Sequence, residues 1–162
     1  MDSQSLRVLE FQHIQSFLKS LALTEPGRQA VAQVRPITDK EQIQVWLDQV
    51  TELKEYLQTG NSLPLGGIHE LGQVIDRASG TGEMLLPAEL LDVAETLTVT
   101  RRLKELVRSC EPRYGKIADL LDNLEPIPEL EKKINQAIGH RGQIKDGASP
   151  ELGRIRKEIG EV

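Results

Sequence analysis

Apolar residues recur along this chain at steps of three and four, the spacing that places them on one face of an α-helix. The first run contains Phe11, Ile14, Phe17, Leu18 and Leu21. It predicts an amphipathic helix over about 10–22. The next run contains Ile43, Leu47, Val50, Leu53 and Leu57. It predicts a longer helix, for which Gly60 supplies a natural C-terminal stop.

The segment between these two runs carries clear start and stop signals. Thr24 is a favourable N-cap, and Pro26 falls in the first helical turn, where its missing N–H costs little. The short helix that follows is predicted to reach about Val34 and to end before Pro36. Asp39 can then cap the helix that contains the second apolar run.

Five further helices are predicted after a loop over 61–67. They cover His69–Ala78, the stretch from Pro87 to Pro112, Tyr114–Leu124, the stretch from Pro126 to Ile138, and the residues from Ser149 onward. The longest is expected to have the inner-face residues Leu90, Val93, Leu97, Leu103, Val107 and Cys110. Gly80, Thr81 and Gly82 interrupt the pattern before it. Gly139–Ala148 is a connector with a short extended piece at Gln143–Lys145.

The final helix has a good start signal and no stop signal. Ser149 can cap it, and Pro150 occupies its first position. Its apolar residues Leu152, Ile155, Ile159 and Val162 are spaced as an a/d seam. Because no closing cap follows, the pattern indicates a fragment of a longer chain. The alternative is a C-terminal helix that frays, which Gly153 and Gly160 would favour.

Composition supports a single all-α domain and argues against a surface that binds phosphates over its whole area. The chain has 162 residues and few aromatic ones, so Leu, Ile, Val and Ala must build the core. Residues 1–100 carry 7 Lys and Arg against 14 Asp and Glu, whereas residues 101–162 carry 13 against 11. Such a balance does not suit a protein that grips phosphates with its whole surface. No signal-peptide or membrane-spanning pattern is present, so a cytoplasmic location is expected.

No catalytic or metal-binding motif can be identified in the sequence, so the segment itself is expected not to be an enzyme. It lacks a Gly-x-x-x-x-Gly-Lys-Ser/Thr phosphate loop. His13, His69 and His140 are too far apart to suggest a metal site, and a structural role is expected for each. The single cysteine, Cys110, excludes an internal disulfide and is expected to be a small buried thiol.

A basic stripe, a row of three basic residues on the longest predicted helix, could have a function. Arg101, Lys104 and Arg108 share a helix face at steps of three and four, so they could contact phosphates of a nucleic acid. The alternative is a solvated face, or pairing of these cations with acidic neighbours. Arg154, Arg156 and Lys157 on the last helix pose the same choice.

The order of motifs resembles the start of the helical core (lever) domain of MutS-type proteins. The matching residues are Thr24, Gly27, Arg28, Pro36, Asp39, Ile43, Leu47, Asp48, Val50 and Leu53. Ile37 replaces a usual leucine, and Trp46 replaces a usual arginine. Because the core-like motif begins close to Met1, the arrangement resembles the second bacterial MutS family, MutS-II, which lacks the mismatch-recognition domains.

The resemblance implies a division of the chain. Residues 1–148 would form the N-terminal part of a multi-helix, bundle-like core domain, and 149–162 would begin the long clamp-arm helix. An ATPase domain that binds ATP and Mg²⁺ and forms a homodimer would follow, and then a Smr-type nuclease domain. The whole protein would be an ATP-dependent, DNA-binding endonuclease that acts on branched DNA and suppresses homologous recombination, with no membrane partner. The segment itself would hold no cofactor.

Two other functions remain open from the sequence. The parent protein could instead be a ribosome-splitting ATPase of the same family, which rescues stalled ribosomes. The chain could also be a self-contained helical protein-interaction module.

Overall fold

The computed structural model describes residues 3–80, 83–109 and 112–160. Within these ranges nine α-helices occur: α1 Ser3–Val8, α2 Phe11–Leu21, α3 Glu25–Gln33, α4 Lys40–Gln58, α5 Gly72–Ser79, α6 Pro87–Ser109, α7 Gly115–Asp122, α8 Pro128–Ala137 and α9 Pro150–Gly160. Short 3-10 turns lie at Pro112–Tyr114 and Asp146–Ala148. The predicted all-α fold class is confirmed. The predictions for Thr81, Gly82, Cys110 and Val162 fall outside the described residues.

One helix was missing from the sequence prediction, and another begins later than predicted. α1 was not predicted, because its six residues are too few for a repeating apolar face; Glu10, with a left-handed φ of 51°, separates it from α2. α5 begins at Gly72 rather than near His69. The backbone N–H of His69 donates to the hydroxyl of Thr96 at 3.1 Å, and this bond holds the preceding residues as a loop against α6.

Two compact units are formed by segments that are not continuous in sequence. One comprises Met1–Gly66 and Arg102–Leu124, and the other comprises Gly67–Arg101 and Glu125–Val162. The division falls within α6, so this helix contributes residues to both units. Neither unit has a boundary at 148/149, and the expectation that 149–162 begins a clamp arm stays a prediction.

The first unit has a small core between α4, α6 and α7. Tyr56, Tyr114 and Ile117 are buried, and the two tyrosine rings meet edge to face with centroids 5.1 Å apart. Glu52 on α4 accepts a hydrogen bond from the backbone N–H of Ile117 at 2.7 Å. This carboxylate satisfies one of the unpaired N–H groups at the start of α7. It therefore fixes α7 against α4.

The N-terminal hairpin of the first unit is held by polar bonds. The side-chain amide of Gln15 on α2 donates to the carbonyl oxygens of Val31 and Ala32, both at 3.0 Å, and of Val34 at 3.3 Å. These acceptors lie at the end of α3, where carbonyl groups have no partner within the helix. Neither α2 nor α3 has a buried residue.

The second unit packs α8 against α6. Its core contains Ala94, Ile134 and Ile138, surrounded by the half-buried residues Leu90, Leu91, Val93 and Ala137. The predicted inner face of α6 included Leu103, which is buried, but missed Ala94 and Val99. Both side chains are smaller than leucine. The apolar periodicity alone therefore did not indicate how deeply they are buried.

The connector between α8 and α9 is a closed loop. Ile138 and Ile144 form an isolated antiparallel bridge, and Lys145 donates its backbone N–H to Ala137 at 2.9 Å. The short extended piece predicted at this place is confirmed. At the start of α9 the hydroxyl of Ser149 accepts from the N–H of Leu152 at 3.1 Å, as expected for a cap.

Candidate functional site

Thr24 and Arg28 build the corner between α2 and α3. The hydroxyl of Thr24 accepts from the N–H of Gly27 at 3.1 Å, so the predicted N-cap is confirmed. Arg28 donates to the carbonyl oxygen of Ala22, the residue just after α2, at 2.9 Å and to the carboxylate of Glu25 at 2.8 Å. The side chain of Arg28 therefore ties the first turn of α3 to the end of α2.

Gly27 lies close to the cap of its own helix. A Cβ atom at position 27 would lie 2.9 Å from the hydroxyl oxygen of Thr24, which is its nearest neighbour. The next neighbour is the Cβ of Ala22, the residue just after α2, at 3.8 Å. The glycine therefore leaves room both for the cap and for the end of the preceding helix.

Pro36 and Asp39 complete the motif. α3 ends at Gln33, before Pro36, as predicted. One carboxylate oxygen of Asp39 accepts from the N–H groups of Glu41 at 3.0 Å and Gln42 at 3.1 Å, which caps α4. The side-chain bonds of Thr24, Arg28 and Asp39 thus join the end of α2 to α3 and cap the starts of α3 and α4. These bonds serve the backbone.

The basic stripe on α6 is divided between the two units. Arg101 belongs to the second unit, where its guanidinium donates to both carboxylate oxygens of Glu131 on α8, at 3.1 and 3.2 Å. The hydroxyl of Thr98 donates to the same carboxylate at 2.8 Å. Glu131 is largely buried, with 13% of its side chain exposed. This cluster ties α8 to α6.

Lys104 belongs to the first unit and ties α7 to α6. Its ammonium group donates to both the carboxylate and the backbone carbonyl of Asp122, each at 2.6 Å. Asp122 is the last residue of α7, where a cation is favourable because the carbonyl ends of the helix carry partial negative charge. The lysine holds the pKa of the Asp122 carboxyl below its usual value. Arg108, further along the same face, is exposed.

A similar tie fixes α5 to the start of α6. Glu89 forms an ion pair with Arg77 and accepts from the backbone N–H of Leu86 at 2.8 Å. Glu89 is the third residue of α6, the position from which a glutamate can bond the N–H of the residue before the helix. This N–H and the guanidinium of Arg77 lower the pKa of the Glu89 carboxyl.

The three histidines have different neighbours. His69 contacts two carboxylates of α6, with Nε2 2.7 Å from Glu95 and Nδ1 3.6 Å from Asp92. His13 lies 3.8 Å from Glu10, and His140 is exposed. The described residues contain no group of three or more His, Cys, Asp or Glu side chains that could hold a metal ion.

The residues present do not fit ATP or Mg²⁺. The sequence has no phosphate-binding loop, and the acidic side chains described above are paired with cations or backbone N–H groups of the fold. Among the helices described, none is long and apolar enough to cross a membrane.

Sequence reasoning missed the carboxylates that make these ties. Glu52, Asp122 and Glu131 looked like dispersed surface charges, because their partners lie 65, 18 and 30 residues away along the chain. Only Asp122 carried a weak signal in the sequence, because it lies near the end of a predicted helix. Together the ties define a helical segment whose helices are joined to one another by polar side chains.

Comparison with known proteins specifies the family. No protein-family model matches the sequence. Proteins named Endonuclease MutS2 from Alkaliphilus oremlandii and Symbiobacterium thermophilum are each 35% identical to it over 161 residues, which is 98% of this chain. The MutS2 protein of Geobacillus thermodenitrificans is 32% identical over 162 residues. Over the segment that it spans, the chain is therefore similar to MutS2 proteins, as the order of its motifs predicted. It spans about 20% of the length of these relatives.

Proposed function

We propose that this chain is a non-catalytic core (lever) segment of a MutS2 protein, and that it links nucleotide-dependent changes elsewhere in that protein to the position of its DNA-contacting parts. The observation that supports this role is the set of ties between helices. Within the first unit, Glu52 joins α4 to α7 and Lys104 joins α6 to α7. Within the second, Arg77 joins α5 to α6 and Arg101 joins α6 to α8.

These ties suit a lever because packed helices move as units rather than deform continuously. A segment that transmits motion needs fixed angles between its helices, and each tie restricts one such angle. The rest of the protein would supply the ATPase domain with its ATP, Mg²⁺ and homodimer contacts, and the nuclease activity that the relatives' name states. Branched DNA is the proposed substrate, and the location is proposed to be cytoplasmic.

The first test is to read the gene that encodes this chain beyond the codon for Val162. The proposal expects a Gly-x-x-x-x-Gly-Lys-Ser/Thr motif after a strand in the downstream sequence. A reading frame without such a motif would contradict it and would favour a self-contained interaction module.

The second test uses the full-length protein with Glu131→Gln, and Glu129→Gln on the exposed side of α8 as the matched control. The proposal expects the first variant to weaken the dependence of branched-DNA affinity on bound nucleotide by about three- to tenfold. ATP hydrolysis without DNA should be unchanged. Equal nucleotide dependence in the two variants would exclude a lever role for this tie. Sedimentation with stalled ribosomes in place of DNA distinguishes the ribosome-splitting alternative.

Arg101, Lys104 and Arg108 remain a proposed nucleic-acid contact. Phosphates would have to replace the carboxylates of Glu131 and Asp122, whereas Arg108 is already exposed. The test is binding of residues 1–162 to branched DNA at about 50 and 200 mM salt. Arg101→Ala combined with Lys104→Ala should remove the binding, and Arg102→Ala beside the stripe is the control. No binding by the unaltered chain at the lower salt would reject the contact.

A further inference from the structure

An apolar groove lies between α4 and α7 in the first unit. Its volume is about 260 Å³, and it is lined chiefly by Trp46, Val50, Leu53, Leu63, Ile117 and Leu120. The floor belongs to the core of the unit, since Ile117 is buried and Leu53 packs against it. The walls do not, because Trp46 is 49% exposed, Val50 64% and Leu120 58%. Exposed apolar surface that is continuous with a core indicates a binding site.

The shape of the groove fits a helix. Trp46, Val50, Leu53 and Leu57 stand on one face of α4 at steps of four, three and four, and Leu57 extends the apolar strip beyond the groove with 47% of its surface exposed. The strip covers about 16 Å at the rise of an α-helix, or roughly three turns. An amphipathic helix laid along such a strip inserts side chains at matching three- and four-residue steps.

Two lysines lie near the groove, and one of them is already paired with a carboxylate. Lys54 lies exposed beside the strip, and Lys116 lines the groove while it pairs with Asp48 at 3.2 Å. A bound helix with an acidic residue next to its apolar positions would complement Lys54, since the charge of Lys116 is already offset by Asp48.

We propose that the α4–α7 groove binds an amphipathic helix from the part of the MutS2 polypeptide that lies outside this chain. The inference rests on the proposed role of the chain as a segment of a larger MutS2 protein. The chain spans about 20% of the length of its relatives, so most of such a polypeptide is available to cover the groove. A covalent tether holds that helix at an effective concentration in the millimolar range, which a separate partner does not reach.

The experiment compares labelling of two introduced thiols in a Cys110→Ser background. Val50→Cys places a thiol in the groove, and Glu55→Cys places one on the exposed opposite side of the same helix. Both are prepared in the full-length protein and in the 162-residue chain. In the full-length protein the thiol at position 50 should react at least about tenfold more slowly than the thiol at position 55, because only an opening of the contact exposes it. In the 162-residue chain the two rates should be similar.

A photo-crosslinking residue at position 50 of the full-length protein then identifies the occupant. A crosslinked peptide from outside residues 1–162 of the same polypeptide confirms the proposal. Equal labelling rates in the full-length protein overturn it, as does a crosslink to residues 1–162 of a second copy. Protection in the 162-residue chain that grows with its concentration also overturns it. A longer reading frame without a phosphate loop would reject the proposed function, whereas the crosslink in that longer polypeptide would still test the occupant of the groove.

Discussion

At the start of α3, the hydroxyl of Thr24 occupies the space that a side chain at position 27 would need. The two residues therefore depend on each other: glycine at 27 leaves room for the cap, and the cap requires glycine at 27. Such dependence is measured by combining two substitutions, because neighbours that share one space do not act additively.

Thr24→Ala is expected to lower the free energy of unfolding by about 1 kcal/mol, the usual effect of losing an N-cap. In that background Gly27→Ala should raise it by about 0.5–1 kcal/mol, since alanine is the better helix former and no hydroxyl is displaced. With Thr24 present, Gly27→Ala should give no such gain. Urea unfolding of the four proteins measures the coupling.

Gly115→Ala is the matched control for this cycle. Gly115 also lies in the first turn of a helix, but a Cβ atom there would meet nothing within 4 Å. Its effect on stability should be the same whether or not Thr24 is present. Equal effects of Gly27→Ala in both backgrounds would show that the cap hydroxyl does not determine the residue at 27.

The lowered pKa of Asp122 makes part of the stability depend on pH. Because its carboxyl binds a proton less readily in the folded chain than in the unfolded one, it stabilises the fold above its ordinary pKa of 3.8. That contribution is lost as pH falls through the lower pKa of the folded state. The same sign holds for Asp48, whose pKa is lowered by bonds from Gln44 and Lys116.

Unfolding measured between about pH 5 and pH 2 should therefore show a loss of stability that is smaller in Asp122→Asn than in the unaltered chain. The asparagine has no proton to gain, so its curve should run flatter. Asp119→Asn, on the same helix, is the control. Parallel curves for Asp122→Asn and the unaltered chain would mean that the bond from Lys104 does not persist in solution.

At the scale of elements, one carboxylate of α8 supports the packing of this helix against α6. Glu131 accepts from both Thr98 and Arg101, so its removal leaves two donors of α6 without this acceptor. Glu131→Gln should lower the free energy of unfolding by about 1–3 kcal/mol, the range for hydrogen bonds that involve a charged group. Glu129→Gln on the exposed side should change it by less than about 0.5 kcal/mol. Thermal unfolding distinguishes the two, and equal melting temperatures would contradict the tie.

The positions of most helices could be predicted from the sequence because their signals are local. Thr24, Asp39 and Ser149 accept hydrogen bonds within three residues of themselves, and the apolar steps of α2 and α4 reflect the geometry of a single helix. The start of α5 could not be predicted, because it is set by a bond from His69 to Thr96, which is 27 residues away. Local rules do not contain such a contact.

The candidate site could be predicted only in part for the same reason. The sequence placed Arg101, Lys104 and Arg108 on one helix face and left phosphate contact and acidic pairing as alternatives. The structure supplies acidic partners for the first two, Glu131 and Asp122, which only the packing of α7 and α8 against α6 brings near. Binding of branched DNA that is lost in the Arg101→Ala and Lys104→Ala double variant would show that nucleic acid also contacts these residues.

At the scale of the whole molecule, the family could be inferred from the order of motifs, and the comparisons confirm it at 30–35% identity. The particular task of the parent protein could not, because the chemistry of a MutS2 protein would lie in parts that this chain does not span. What the chain offers is a framework of tied helices with an open groove, and both features carry predictions for the larger protein.

The two small cores have a consequence for how the chain responds to heat. Among the described residues only eight apolar side chains are buried, and six of them form two separate clusters around Tyr114 and Ile134. The heat capacity gained on unfolding scales with the apolar area that becomes exposed, so this chain should have a smaller increment than a compact protein of equal length. Its stability curve is then shallow. Its calorimetric transition should also be broad. That transition should become narrower once further polypeptide covers the exposed face of α4.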